Sequence, residues 1–234
     1  MSIAANIATI HERVTAAARR AGRNPEEVLL MAVSKTQPPD RIREAYAAGQ
    51  RLFGENRVQE FGGKVEALLD LKDADWHMIG HLQTNKAAKT AELFRAVDSL
   101  DSLKLAEKLN AAARALGRKL EILVEINVGG ESAKSGLVPG SSALEDLLGS
   151  APRLDALVFR GLMTVPPLTS DPQGARPYFR NLRELRDTIA SRNLPSVAMD
   201  ELSMGMSHDF EVAIEEGSTC VRVGTAIFGE RAKA

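Results

Sequence analysis

Two hydrophobic patterns alternate along the chain. Short unbroken apolar runs are typical of strands buried on both faces, as in parallel sheets, and segments with apolar residues three or four positions apart indicate helices. The runs predict eight strands, at residues 28–33, 52–55, 76–80, 94–99, 120–128, 157–163, 197–202 and 219–223. Helical segments follow the strands, at 38–48, 56–69, 85–92, 102–116, 141–148, 175–192 and 210–216, and one more at 2–22 precedes the first strand.

Eight strands alternating with helices predict an α/β fold, namely a TIM (β/α)8 barrel with an extra N-terminal helix. A doubly wound open sheet is the alternative, but it usually needs fewer strands and a switch point that the sequence does not display. No linker or repeat divides the chain, so we expect a single domain over residues 1–234. In such a barrel the carboxyl ends of all the strands meet at one mouth, where active and ligand-binding sites lie.

Composition narrows the class of protein. Hydrophobic residues make up 44% and charged residues 26% of the chain, as in soluble globular proteins. A net charge of −1 gives no bulk attraction to nucleic acid or anionic membrane. The single cysteine, Cys220, offers no intramolecular disulfide and no metal cluster. Without an evident signal peptide or membrane span, we expect a cytoplasmic protein with no nucleic-acid, membrane or metal partner.

Lys35 directly follows the first predicted strand and precedes Pro38-Pro39, which ends the segment in a turn. An ammonium at the mouth of a low-dielectric pocket has a lowered pKa, because its charged form is disfavoured. The neutral amine can attack an aldehyde. The alternative is a lysine that reaches solvent from the end of a strand.

Two loops have the composition of an anion cradle. Residues 203–207 follow strand seven and precede a helix, and Gly224-Thr225 follow strand eight. Small residues allow backbone N–H groups to approach a phosphate, and barrels often bind phosphate with these two loops. Each segment by itself is more often a turn or a helix cap, but their positions after strands seven and eight reinforce one another as a phosphate site.

Arg222 lies inside the apolar eighth strand, where alternation can direct it into the barrel. A buried guanidinium needs a partner. That partner is either a carboxylate, such as Asp98 or Glu201, or a ring nitrogen of a cofactor. One ligand would satisfy all three features. Pyridoxal 5′-phosphate (PLP) has an aldehyde for Lys35, a phosphate for the loops and an aromatic nitrogen for Arg222.

Six motifs carry a resemblance that spans nearly the whole chain. They are AVSK at 32–35, GENRVQE at 54–60, HMIGHLQTNK at 77–86, GLMT at 161–164, LSMGMS at 202–207 and VRVGTAIFG at 221–229. Together they closely resemble the pyridoxal phosphate homeostasis protein family. That resemblance implies a barrel similar to the N-terminal domain of alanine racemase.

The resemblance also assigns roles to residues. It implies that Lys35 carries PLP covalently as an internal aldimine, that Arg222 faces the pyridine nitrogen, and that Asn56 lines the pocket. The residues that it places around the phosphate are Ser203, Gly205, Gly224 and Thr225, and we also expect Met204 to contact the cofactor. His208 is a departure, since some members have an acidic residue there, and we expect it to cap a helix or lie at the surface. We expect His77 to be structural and His81 to lie at the pocket rim.

An arginine against the pyridine nitrogen disfavours its protonation and makes the ring a poorer electron sink. By resemblance to alanine racemase, racemisation also needs a tyrosine from a second domain, and Tyr46 and Tyr178 both lie in predicted helices. We therefore expect a monomeric protein that buffers or delivers PLP, with apo-enzymes as recipients and with little or no catalysis. The alternatives are a homodimeric amino-acid racemase and an aldolase in which Lys35 attacks a sugar phosphate.

Overall fold

The computed structural model describes residues 2–131 and 134–230, and within them eight parallel strands close into one barrel in chain order. The strands are β1 (Leu29–Val33), β2 (Leu52–Glu55), β3 (Asp75–Met78), β4 (Ala96–Leu100), β5 (Leu120–Glu125), β6 (Leu157–Met163), β7 (Val197–Ser203) and β8 (Cys220–Val223). Because β1 pairs with β8, with Met31 opposite Arg222, no edge remains open. The predicted TIM barrel is confirmed, and the open sheet is excluded.

Helices follow the strands and pack outside them. They are α1 (Ile3–Arg20), α2 (Pro39–Ala47), α3 (Val58–Lys64), α4 (Ala87–Leu93), α5 (Leu103–Ala115), α6 (Ser142–Gly149), α7 (Arg176–Ser191), α8 (Phe210–Glu215) and α9 (Thr225–Phe228). The N-terminal helix α1 packs against α8 and α9 and buries Ile3, Ile7, Ile10 and Val14, as its spacing predicts. Of the helices described, none combines the length and hydropathy needed to cross a membrane.

Two predicted elements differ from the structure by three residues or more at one end. The helix predicted at 56–69 is split, since α3 ends at Lys64 and a 3-10 turn follows over Val65–Leu68. The Gly62-Gly63 pair accounts for this, because glycine weakens a helix interior. The fifth strand ends at Glu125 and not at residue 128. Leu29, at the start of β1, is 54% exposed, so the first strand is not buried over its whole length.

β6 changes register against both of its neighbours near Gly161. A Cβ atom at this position would lie 1.9 Å from the carbonyl oxygen of Glu201 in β7. Only glycine therefore allows the two backbones to approach this closely.

The barrel also contains buried charge that does not face its mouth. Asp98 of β4 is 1% exposed and lies 3.0 Å from the Nδ1 atom of His77 in β3. Burial lowers the pKa of His77, but Asp98 and Asp75 outweigh it and raise the pKa to about 10. Asp98 also interacts electrostatically with Arg222 in β8, on the opposite side of the barrel. His77 is therefore a structural cation, as expected.

Gly161→Ala is expected to destabilise the barrel by about 3 kcal/mol, because the added methyl group meets backbone that cannot move away. Urea denaturation measures this loss. Gly63→Ala is the matched control, since nothing lies within 4 Å of the point where its Cβ atom would be. That exposed helical site should gain about 0.5–1 kcal/mol. Equal effects of the two substitutions would contradict the close-approach argument.

The charge on His77 predicts a pH dependence of stability. Its pKa is 6.5 when unfolded and about 10 when folded, so the stabilisation is complete below 6.5 and is lost as pH rises through 10. We expect the free energy of unfolding of the natural protein to fall relative to His77→Asn across this window. Urea titrations at several pH values measure the difference, and a constant difference would show that His77 is neutral in the folded state.

Candidate functional site

A cavity of about 390 Å³ opens at the carboxyl ends of the barrel strands. Its volume lies within the range of small-molecule sites. Five of the residues expected at a cofactor site line it, namely Lys35, Asn56, Arg222, Gly224 and Thr225. The barrel thus brings together residues that are far apart in sequence.

Lys35 projects from a turn at the end of β1. The N–H of Gln37 donates to the carbonyl oxygen of Ser34 at 3.1 Å, so residues 34–37 form a β-turn with Lys35 at its second position. Thr36, at the third position, has a φ of +64°, which is the type II pattern. Glycine or asparagine usually occupies that position, and a β-branched residue there is strained by roughly 1–3 kcal/mol. Surrounding contacts must hold this turn in place.

A buried ionic network lies beneath the turn. The ammonium of Lys64, in α3, is 2.8 Å from the carboxylate of Glu55 and 3.2 Å from that of Glu60. Glu55 is fully buried, and its Oε1 atom accepts a 2.6 Å hydrogen bond from the hydroxyl of Ser34. Burial raises the pKa of Glu55, while Lys64 and Ser34 act in the opposite direction. The network therefore connects α3 to the residues that flank Lys35.

Arg222 forms the inner wall of the cavity and is 4% exposed. Its Nη1 atom donates to the carbonyl and hydroxyl oxygens of Ser203, at 2.6 and 2.7 Å, and Nη2 donates to the carbonyl of Thr164 at 2.6 Å. A guanidinium has five N–H groups, so two remain that donate to no described residue. Burial lowers the pKa of Arg222. Of the two carboxylates considered as its partner, Glu201 contacts Arg160 and Asp98 contacts His77.

The structure separates the loop after β7 into two parts. Ser203 and Met204 are fully buried below the cavity, and the carbonyl of Gly205 accepts from the backbone N–H of Arg222 at 3.0 Å. The cavity is instead lined by the next residues, Met206, Ser207 and His208. Ser203 and Gly205 therefore lie against Arg222, whereas Met204 packs in the core.

The loops after β7 and β8 meet at the cavity. The hydroxyl of Ser207 accepts from the N–H of Ala226 at 3.4 Å, and this bond joins them. Gly205 has a φ of +95°, and a Cβ there would lie 2.5 Å from the Cβ of Ala213 in α8. This close packing gives the first loop its shape. Gly224, Thr225 and Ser207 then present backbone and hydroxyl groups to one region of the cavity.

Other lining residues carry no signal in the sequence. They include Ile79 and Val165, each just beyond the end of a strand, where an apolar residue is usually a core residue, and Gln37, the last residue of the 34–37 turn. His208 is exposed and borders the cavity. His81 lies outside it, 60% exposed and 3.0 Å from Asp101. Both tyrosines lie in helices, Tyr46 in α2 and Tyr178 in α7.

The chemistry of the cavity is that of a carbonyl and anion site. It offers an amine from Lys35, guanidinium donors from Arg222, and small residues with hydroxyl and amide donors from two loops. Among residues 2–131 and 134–230, no group of three or more His, Cys, Asp and Glu side chains could hold a metal ion. A ligand with a carbonyl group, an anionic group and a hydrogen-bond acceptor between them fits this donor set.

Comparisons with solved structures support the same fold. The structure of PipY from Synechococcus elongatus with PLP bound matches with a TM-score of 0.81 at 38% identity, covering 97% of this chain and 100% of that one. An alanine racemase from Streptomyces coelicolor matches with a TM-score of 0.69 at 21% identity, covering 96% of this chain and 58% of that one. At that identity the racemase shares the fold alone.

Sequence comparisons cover nearly the whole chain. The family model for the N-terminal domain of alanine racemase matches residues 5–232. The pyridoxal phosphate homeostasis protein of Aquifex aeolicus is 46% identical over 99% of both chains. The protein of that name from Escherichia coli K12 is 42% identical, over 98% of this chain and 97% of that one. The chain therefore belongs to the alanine racemase N-terminal domain family and, within it, to the pyridoxal phosphate homeostasis proteins.

Proposed function

We propose that the chain binds PLP in the cavity at the mouth of the barrel and serves intracellular PLP homeostasis by buffering or delivery, with little or no catalysis. The observation that carries this proposal is the convergence of Lys35, Arg222 and the Gly224-Thr225 segment on one cavity. A relative with the same fold, PipY, has a structure with PLP bound.

PLP supplies an aldehyde, a phosphate and a pyridine nitrogen, and each meets a complementary group of this chain. Lys35 binds it covalently as a Schiff base. Arg222 donates to the ring nitrogen through an N–H group that Ser203 and Thr164 do not use. Gly224, Thr225 and Ser207 surround the phosphate, and Asn56 lines the ring pocket.

The other residues expected to bind the cofactor have supporting roles in this proposal. Ser203 and Gly205 hold Arg222 through a 2.7 Å side-chain contact and a 3.0 Å backbone contact. Met204 is fully buried and supports the phosphate loop from below.

Arg222 favours storage of PLP over catalysis. Among the described residues its hydrogen bonds go to neutral oxygens of Ser203 and Thr164, and none goes to a carboxylate that would cancel its charge. A cation at this distance from a ring nitrogen disfavours the protonated ring. The unprotonated ring withdraws electrons weakly, and carbanion chemistry such as transamination is therefore slow. The positions of Tyr46 and Tyr178 in outer helices agree with this, since neither lines the cavity.

The proposal extends to partners and location. Recipients are apo-enzymes that use PLP, and the protein works as a monomer with one domain. We place it in the cytoplasm, where a single unpaired thiol such as Cys220 persists.

Lys35→Ala should abolish covalent binding of PLP. The natural protein is expected to be yellow after incubation with PLP, and borohydride should fix the adduct on the peptide that contains Lys35. Visible absorption and peptide mass mapping measure both. Lys89→Ala is the matched control, because Lys89 is an exposed lysine on α4 and should leave the spectrum unchanged.

A colourless protein that stays unmodified after incubation with PLP would overturn the cofactor assignment. Trapping by borohydride only in the presence of a sugar phosphate would instead support the aldolase alternative.

The protein loaded with PLP is expected to cause no measurable stereoinversion of L-alanine or other amino acids. Exchange of the α-proton, followed by NMR in deuterated water, tests the step that racemisation requires. An authentic alanine racemase serves as the positive control. Inversion that disappears in Lys35→Ala would overturn the carrier proposal in favour of a racemase.

A further inference from the structure

The turn that carries Lys35 is held from below by α3. The ammonium of Lys64 donates to the carbonyl of Ser34 at 3.1 Å and to that of Gln37 at 3.4 Å, which are the two ends of the turn. The backbone N–H of Thr36 donates to the Oε1 atom of Glu60 at 2.5 Å. The residue before Lys35 and the two residues after it are thus all bound to the same helix.

These contacts lie at a strained point of the backbone. Thr36 is β-branched and has a φ of +64°, a conformation that persists only where the surroundings enforce it. The same Glu60 oxygen accepts from Thr36 and from Lys64, at 2.5 and 3.2 Å. The strained residue and the buried ammonium therefore share one carboxylate.

The ionic network of Lys64, Glu55 and Glu60 is more deeply buried than an ordinary surface ion pair. Lys64 is 8% exposed and Glu55 is fully buried. Removing two such charges from water is costly, and a buried ion pair often stabilises a fold no better than an apolar pair of the same shape. Stability is thus a weak explanation for this arrangement. Its hydrogen bonds instead reach the hydroxyl or carbonyl of Ser34 and the backbone of Thr36 and Gln37.

We propose that Lys64, with Glu55 and Glu60, is a positioning element that directs the amine of Lys35 at the aldehyde carbon of bound PLP. This rests on the proposed function. In the step concerned, the Lys35 nitrogen forms a C=N bond, the aldehyde C=O bond breaks, its oxygen leaves as water, and nothing is oxidised or reduced. Lys64 does not touch the ligand, and its effect passes through the 34–37 turn.

The test separates covalent from non-covalent binding. The variant Glu55→Gln/Lys64→Met removes both buried charges together, so that neither is left unpaired, and replaces each with a neutral side chain of similar size. Pyridoxine 5′-phosphate, which has an alcohol in place of the aldehyde, measures ring and phosphate binding without the covalent step. Calorimetry gives its affinity, and absorption with borohydride trapping gives the extent of Schiff-base formation with PLP.

We expect Schiff-base formation to fall about tenfold or more in the variant, because misplacing a reacting group by a fraction of an ångström has effects of this size. The affinity for pyridoxine 5′-phosphate should change by less than about twofold on the same reasoning, since its binding groups are untouched. Equal losses for both ligands would overturn the proposal, because they indicate a general collapse of the pocket. Unchanged Schiff-base formation would overturn it as well.

Two further variants keep the test decisive. Glu60→Ala removes the acceptor of the Thr36 N–H from a carboxylate that is 29% exposed, and it decides the outcome if the double variant does not fold. It should show the same selective loss of Schiff-base formation. Lys89→Met removes an exposed lysine and should match the natural protein. If the natural protein binds neither ligand, the proposed function fails, an outcome distinct from failure of the positioning role.

Discussion

The buried guanidinium of Arg222 is the constraint on which the mouth of the barrel depends. Leaving such a charge without partners costs about 3–5 kcal/mol. Its acceptors come from Thr164, just after β6, and from Ser203, at the end of β7. Satisfying Arg222 therefore draws the ends of β6, β7 and β8 together. The wall they form is the wall of the cavity, so the residue that would bind a ligand also shapes the place where it binds.

Among the described residues, the buried cations His77, Lys64 and Arg222 have different partners, and the difference separates structure from function. His77 contacts carboxylates of Asp98 and Asp75, and Lys64 contacts those of Glu55 and Glu60. Both charges are cancelled where they lie. Arg222 has neutral oxygens as hydrogen-bond partners, so it presents positive charge and unused donors to the cavity.

The strands were predictable because parallel barrel strands are buried on both faces and form short apolar runs. β6 was located to the residue, at Leu157–Met163. The order of eight such runs was enough to predict closure and to bring the strand ends together. The interruption of α3 was harder to place, because the helix gives way to a 3-10 turn whose start depends on tertiary packing and not on composition alone.

Site residues were predictable where a charged side chain stands out in an apolar strand, and were not predictable where backbone conformation determines which residues line the cavity. Lys35 and Arg222 are charged residues in or beside apolar strands, and a charge in such a position is visible in the sequence. The left-handed conformation of Thr36 has no such sign, since threonine usually avoids it. Alternation within a strand also cannot show where a loop leaves the core. Ser203, Met204 and Gly205 were expected at the cofactor, and the residues of this loop that line the cavity are Met206, Ser207 and His208.

A carrier must release what it binds, and the geometry of this site suits release. Lys35 is half-buried in a cavity that is open to solvent, so water would reach a C=N bond formed there and could hydrolyse it. Enzymes that use PLP as an electron sink benefit from excluding water and protonating the ring. In the proposed complex the positive charge of Arg222 would oppose ring protonation, and the turn held by Lys64 would keep the amine of Lys35 in place. An amine that is held rigidly in a site open to water favours binding and release of the cofactor over carbanion chemistry on the cofactor.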